Sequence, residues 1–421
     1  MDADQVAIAK FHSMSWRREA VTAGNYMELL APQVAADTLV VNVATSISSL
    51  DVLAWAQQRG AYYLDTCIDP WEYQDGEIGS AANTNYQMRE AVMALQAVQR
   101  ASGLRLPTAV VAHGANPGLV SVLVKEALLE LARRHLAAPA APCSATEWAL
   151  LAQQLGVRVI QIAERDHQHS RHVPAPGEFV NTWSVQGYIA EALQPAELGW
   201  GSHEAAGPMA ARAHGHAAGC RAAVWLDTLG VHARVRSWTP LAGEFTGRLI
   251  SHNEAMSIAA HLTLGDAAAP AYRPTVYYAY HPCDLAEASL ALLEGGSREP
   301  VTRETVLKQE IDGGIDELGV LLVSDRFPSL WLGSQLSIER ARAIAPHNNA
   351  TSLQVVGSML AAIEWLLLNP RAGIVETEAM DHHLLLEHAR PYWEPLVCEQ
   401  RAWQPDPVRA EPRWTLDEFW A

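Results

Sequence analysis

TLVVNVATSISSLDVLAWAQQRGAYYLDT, residues 38–66, is the stretch whose reading decides the fold. Residues 38–44 are apolar except at Thr38 and Asn42, the length and character of a short buried strand. Residues 48–59 then place Leu50, Leu53 and Ala54 at helical spacing, and Gly60 stops the helix. Residues 61–66 predict a second strand. Moving outward, residues 83–100 carry Met88, Ala91, Val92, Leu95 and Val98 at helical spacing, and residues 107–112 predict a third strand. Asn116-Pro117-Gly118 opens a helix to about Arg134, with Asn116 as cap and Pro117 in the first turn. Strands alternating with helices imply a parallel sheet covered on both faces, with right-handed connections. Ligands of such sheets bind at the carboxyl ends of the strands. Those ends are Asn42 to Ser46, Asp65 to Trp71 and His113 to Gly118.

Beyond an Ala- and Pro-rich linker at 136–146 the rhythm changes. Residues 157–163, 178–185, 222–227, 232–238, 245–252 and 274–280 read as strands, and helices are predicted at 284–294 and 336–345. This is the pattern of an α+β unit with a mostly antiparallel sheet. Residues 349–368 predict a late helix, capped by Asn349, with Leu353, Val356, Leu360, Ile363 and Leu367 on one face that returns to the first unit. The expected division is 1–140, 141–346 and 347–421.

The chain has 421 residues, 49% of them hydrophobic and only 18% charged, enough for a large core and two domains. Its formal net charge of −17 and the lack of a Lys/Arg run argue against a nucleic-acid partner; on charge alone the acidity reads as keeping a cytoplasmic protein soluble, and attraction of small cations needs specific carboxylates. The five cysteines (Cys67, Cys143, Cys220, Cys283 and Cys398) are scattered, which predicts no disulfide framework and fits a reducing cytoplasm. The start of the chain is polar and mixed in charge, so no signal peptide is expected. The apolar run Ser358–Leu368 is interrupted by Glu364 and reads as too short to span a membrane. His167, His169 and His172, His214 and His216, and His382-His383 lack a metal-binding motif, and no metal is expected.

Several residues offer chemistry suited to a protonated amine. Asp69 leaves the second strand, Asn116 sits before a helix, and Glu164 ends a strand. Trp183 supplies an aromatic wall with Glu191 eight residues on, and His252 and Glu254 share the string SHNE. Carboxylates hold an ammonium, an indole face attracts one, and a His or Glu accepts its proton. Singly, each residue also fits a turn, a cap or an ion pair.

SSLD (48–51), YLDT (63–66), GANPG (114–118), AERD (163–166), FVNTWSV (179–185), LQPAELGWG (193–201), RVRSWTP (234–240), SHNE (251–254), YAYHPC (278–283), IDELGVLL (315–322) and GSQLSIE (333–339) run in order along most of the chain. In these strings the chain resembles the bacterial homospermidine synthases, relatives of the saccharopine dehydrogenases. The resemblance implies a Rossmann-like dinucleotide-binding domain plus a substrate domain, a homodimer, NAD as a held cofactor, and putrescine or similar diamines as substrate. It implies that two putrescines become homospermidine with loss of ammonia. By motif, Trp183 holds an ammonium, Glu164 and Glu191 bind cations or take protons, Asn116 lies near the nicotinamide and the reacting amine, and His252 assists substrate positioning or proton transfer, with Glu254 of the same string a further catalytic carboxylate. Asp69 and Gln186 stand where the family has Glu. Asp2, Asn42, Ala44, Thr45, Asp65, Thr66, Gly114, Ala115, Asn116 and Pro117 fall on the cofactor side.

The family opens on a strand, a G-x-G-x-x-G turn and a helix, and no such run occurs in this chain. Asp2 matches the acidic residue expected at the adenosine ribose, so the first β-α-β unit is expected to be largely missing. Two other readings are a non-catalytic homologue and a saccharopine- or carboxyspermidine-type dehydrogenase. The latter would want arginines for substrate carboxylates.

Overall fold

The structure, a computed structural model, describes residues 15, 17–71, 84–137, 141–204, 211–213, 222–405 and 411–421. Residues 38–66 form a strand at Leu39–Asn42, a helix at Ser49–Gln58 and a strand at Tyr62–Asp65. The helix starts where Ser48 accepts a hydrogen bond from the Asp51 N–H at 3.2 Å. The two strands pair in parallel, Leu39 opposite Tyr62 and Asn42 opposite Asp65. Helix Asn85–Ser102 follows, capped by Thr84 and stopped at Gly103 with φ +69°. Strand Ala109–Val110 pairs in parallel with Tyr63–Leu64. Val52, Leu53, Tyr63, Val92 and Val111 are buried together in this layer.

A fourth strand, Ile374–Val375, pairs in parallel with Ala109–Val110, so the late part of the chain completes the small sheet. Sequence reading missed it because two residues carry no periodicity. Arg89 fixes this return by a two-pronged ion pair to Glu376, at 2.6 and 2.7 Å.

The second sheet has ten strands. At its centre lie Val157–Asp166, Ile315–Ser324 and Thr275–His281; the first pairs antiparallel with the second and in parallel with the third. The remaining ladders are antiparallel, as expected for this unit. Helix Leu119–His135 packs on this sheet. Glu197, on strand Pro195–Gly199, accepts the backbone N–H groups of Asn85 and Tyr86 at 2.6 and 3.1 Å. A carboxylate of the large sheet thereby caps a helix of the small one.

Three expectations need correction. The segment 178–185 divides into strand Glu178–Asn181 and helix Val185–Leu193, because Ser184 caps the helix at the Gly187 N–H. Helix Leu119–His135 begins after Gly118, and Asn116 is not its cap. Helix Ala350–Leu368 buries Leu353, Gln354, Gly357, Ser358, Ala361 and Trp365, while Val356, Leu360 and Leu367 are exposed. Small residues on its inner face allow close approach to the helix His382–Trp393, and apolarity alone pointed to the wrong side. At 19 residues this helix is also long and apolar enough to cross a membrane by length and composition, longer than the run read from the sequence. Half of its apolar window is buried within the protein.

Candidate active site

The carboxyl ends of the first three parallel strands open on the same edge, where ligands of such sheets bind. The turn after the third strand is a closed loop: the Gly114 N–H donates to the Pro117 carbonyl at 2.7 Å, and the Leu119 N–H to the Gly114 carbonyl at 3.0 Å. Gly118 has φ +126°, and a Cβ there would stand 2.3 Å from the Gly114 oxygen. Only glycine fits. Gly118→Ala is expected to destabilise the protein by at least about 1–3 kcal/mol. A chemical-denaturation midpoint equal to wild type would reject this loop geometry.

The loop holds Asn116 against the large sheet, its Nδ2 3.4 Å from Glu164 Oε2. Glu164 also accepts the Tyr278 hydroxyl at 2.5 Å. It is buried, and burial pushes its carboxyl up to about 8, with Asp166 adding repulsion and Tyr278 opposing. Asp166 lies two residues on, on the same face of the strand. It accepts from the Gln168 N–H at 2.8 Å and the Thr182 hydroxyl at 2.7 Å, and burial raises its pKa. Asp316, opposite Asp166 in the antiparallel ladder, accepts the Thr351 hydroxyl. Burial, Glu164 and Asp166 push its carboxyl well above the usual range. Among the described residues its Oδ1 meets no donor, so a proton shared within this group relieves both repulsion and the orphaned oxygen.

A second cluster faces the first across Tyr278. His252 lies between two carboxylates, Nδ1 3.2 Å from Glu254 Oε1 and Nε2 3.1 Å from Glu191 Oε2. Its ring centroid is 4.5 Å from that of Tyr278. Burial alone would lower its pKa, but Glu254 and Glu191 overcome that and hold it well above the ordinary value. Burial raises the Glu191 carboxyl, against the pull of His252. Glu254 is buried, and its Oε2 has no hydrogen-bond partner among the described residues. The indole of Trp183 is partly exposed and donates Nε1–H to the Tyr280 hydroxyl at 3.0 Å. Tyr188 supports the indole from 5.4 Å. The cluster therefore offers carboxylates and aromatic faces, with His252 as the basic group acting on both Glu164 and Glu191.

The fold thus gathers Asn116, Glu164, Trp183, Glu191, His252 and Glu254. Asp69 lies at the rim, with Oδ2 accepting the Ser46 N–H at 3.2 Å and its charge raising the Glu191 carboxyl. Gln186 bridges the two sheets: its Oε1 accepts from the Thr45 hydroxyl at 3.1 Å. Gly114, Ala115 and Pro117 form the loop beside Asn116, and Thr66 stands within van der Waals reach of Gly114. Ala44 is exposed on the same edge.

Two cofactor-side residues do other work. Asp65 is fully buried and accepts from the Ala112 N–H at 2.6 Å and the Tyr63 hydroxyl at 2.9 Å, which ties the second strand to the third. Burial pushes its carboxyl up to about 7. Asn42 turns back on its own loop and the Tyr63 hydroxyl, at 3.2 Å. Both position the strand ends through contacts within the protein. Asp2 lies outside the described residues, as do His214, His216 and Cys220. Sequence reading gave no role to Asp166, Tyr278, Tyr280 and Asp316, although period-two spacing from Glu164, and within YAYHPC, carries the signal.

Residues 2–106 match the saccharopine dehydrogenase NADP binding domain family, and residues 114–400 the saccharopine dehydrogenase C-terminal domain family. The homospermidine synthase of Blastochloris viridis is 45% identical over 404 residues, covering 94% of this chain and 83% of that protein. That of Mesorhizobium japonicum is 41% identical over 397 residues, covering 92% and 81%. The crystal structure of the homospermidine synthase from Legionella pneumophila in complex with NAD superposes with a TM-score of 0.89 at 39% identity, covering 99% of this chain and 89% of that one.

Proposed function

We propose the function from one premise: this chain belongs to the homospermidine synthase family, within the saccharopine dehydrogenase-like proteins. It is an NAD-dependent enzyme that joins two putrescine molecules into homospermidine with loss of ammonia. The observation that carries this reading is the pairing of two buried carboxylates and one half-buried carboxylate with an open indole. Glu164, Glu191 and Glu254 share one site with Trp183, and His252 is the cation among them. That set suits a diamine. A substrate bearing carboxylates would be repelled by it, so the saccharopine-type alternative is not favoured.

The residues present fit the nicotinamide side of NAD at the edge where the three strands end. The Gly114–Gly118 loop would face the nicotinamide, and the turns at Ala44, Thr45 and Thr66 would line the same edge. When bound, NAD would take a hydride from the amine-bearing carbon of substrate and give it back to the C=N bond formed when the second diamine displaces ammonia, so no net redox change results. Trp183 and Glu191 hold an ammonium group by cation–π attraction and charge. Glu164, once ionised, takes a proton from the reacting amine, and the Tyr278 hydroxyl and Asn116 amide orient its carboxylate. His252, held protonated by Glu191 and Glu254, fixes both carboxylates. The desolvated walls of Tyr188, Tyr278 and Tyr280 strengthen these contacts.

Purified protein supplied with putrescine and NAD⁺ is expected to release homospermidine and ammonia, detected by mass spectrometry. Formation of neither would sink the reading. Turnover of a carboxylated amine in preference to putrescine, in direct competition, would redirect it to the other dehydrogenases of the family.

We propose further that two copies assemble and work in the cytoplasm. Support for assembly is the exposed apolar row Val356, Leu360, Leu367 and Leu368 on one helix. Support for a reducing compartment is that Cys67, Cys143, Cys283 and Cys398 are free thiols. Sedimentation tests the first, and a monomer at working concentration counts against it.

A further inference from the structure

His382-His383 carries no metal motif in the sequence, but the fold supplies a third ligand. Helix His382–Trp393 packs against helix Leu119–His135. There Glu126, His382 and His383 each offer one ligand atom, and the three atoms lie within 4.8 Å of one another. The imidazole centroids are 4.0 Å apart, with ring planes at 35°. His382 Nε2 is buried and has no hydrogen-bond partner among the described residues. Trp148 meets the His382 ring edge-on at 5.3 Å and holds its orientation. One Glu126 oxygen accepts from Arg133 Nη2 at 2.7 Å, which steadies the carboxylate and leaves the second oxygen for a ligand.

We propose that Glu126, His382 and His383 form a divalent transition-metal site, of a kind suited to Zn²⁺, that clips these two helices together away from the diamine site. Two imidazoles and one carboxylate are a preferred zinc donor set, with water completing the tetrahedron. Bonds of about 2.0–2.1 Å require the donors to close by roughly an ångström, within the reach of side-chain rotation. His382 and His383 begin a helix, where the backbone dipole disfavours a cation. Asp381 offsets this: its carboxylate accepts the His383 and Leu384 N–H groups at 3.0 and 3.2 Å. The position has a structural consequence. Helix Leu119–His135 starts at the Gly114–Gly118 loop, and the helix at His382 follows the segment in which Glu376 pairs with Arg89 and Glu378 accepts from Ser121 and Ser257. Metal at this point would lock the returning segment to the loop that positions Asn116.

The test uses the full chain, stripped of metal with chelator and titrated with Zn²⁺ by calorimetry, with Co²⁺ absorbance reporting geometry. One Zn²⁺ per chain and a tetrahedral Co²⁺ spectrum are expected. Because replacing supporting residues around a metal costs about 10–100-fold in affinity, losing a direct ligand should cost at least about 100-fold. His383→Ala should show that loss, and since His383 is exposed, folding should be unaffected. Glu126→Gln should weaken binding at least about tenfold. Wild-type protein that binds no stoichiometric Zn²⁺, or binds it unchanged in both variants, overturns the site. Loss in His383→Ala with none in Glu126→Gln also overturns it, leaving a two-histidine surface chelate.

Discussion

Glu164→Gln is expected to lower kcat/KM for putrescine by about 10²–10⁴-fold, the usual worth of a positioned proton acceptor. Gln keeps the length and an oxygen for the Tyr278 hydroxyl, so the packing around the site should survive. What is lost is the group able to take the amine proton. The carboxyl is held near 8 by burial, with Asp166 adding to the effect. Its ionised form therefore becomes abundant only as pH rises through about 8, and the rate should climb across that window. The sign follows directly: a raised carboxyl pKa means protonation at lower pH, and a protonated carboxyl accepts nothing. In Glu164→Gln that rising limb should disappear from the kcat/KM profile.

A residue with a purely structural role would behave differently. It would lower the rate at all pH values and leave the limb in place, with a matching loss of thermal stability. A profile of unchanged shape in Glu164→Gln therefore counts against the base assignment even if the rate drops. Asp316→Asn supplies a second check. It removes a carboxylate whose hydrogen bond lowers this group, so the limb should shift to higher pH, whereas Asp166→Asn removes the repulsion that raises it and should shift the limb to lower pH. The three acids titrate as a set, and the midpoint of the limb belongs to the cluster.

Much of the frame was legible because hydrophobic spacing and turn chemistry act locally. The strand–helix–strand at 38–66 appears within a few residues of its expected bounds, since Ser48 and Gly60 punctuate it. What depends on distant partners was not legible. The two-residue strand Ile374–Val375 exists only because an open edge awaits it. The exposed row on helix Ala350–Leu368 reads as an inward face until the small residues opposite are seen to pack. Motifs singled out Glu164, Trp183 and His252, which the fold brings to one cluster. Asp316 was not among them, because its meaning comes from register with Asp166 across the sheet. Asp65 shows the opposite case: a strand-end carboxylate looks like a ligand contact, and only the folded chain shows the Ala112 N–H donating to it.

Trp183→Ala should lower kcat/KM by roughly 30-fold, from the ~2 kcal/mol that a desolvated cation–π contact contributes. The indole is held by the Tyr280 hydroxyl at its Nε1–H and by Tyr188 at its side, so it is presented in one orientation before substrate arrives. Truncation removes the π-face and the preorganisation together. Trp183→Phe separates them: a ring remains but the hydrogen bond to Tyr280 is gone, and activity should fall between wild type and Ala. The decisive readout is selectivity. Putrescine carries two ammonium groups, whereas butylamine carries one on the same carbon chain. If the indole holds the second ammonium, wild type should strongly prefer putrescine, and Trp183→Ala should lose most of that preference. If both amines slow equally in the variant, the indole is acting on the reacting end or on packing alone, and its assignment to the second ammonium fails.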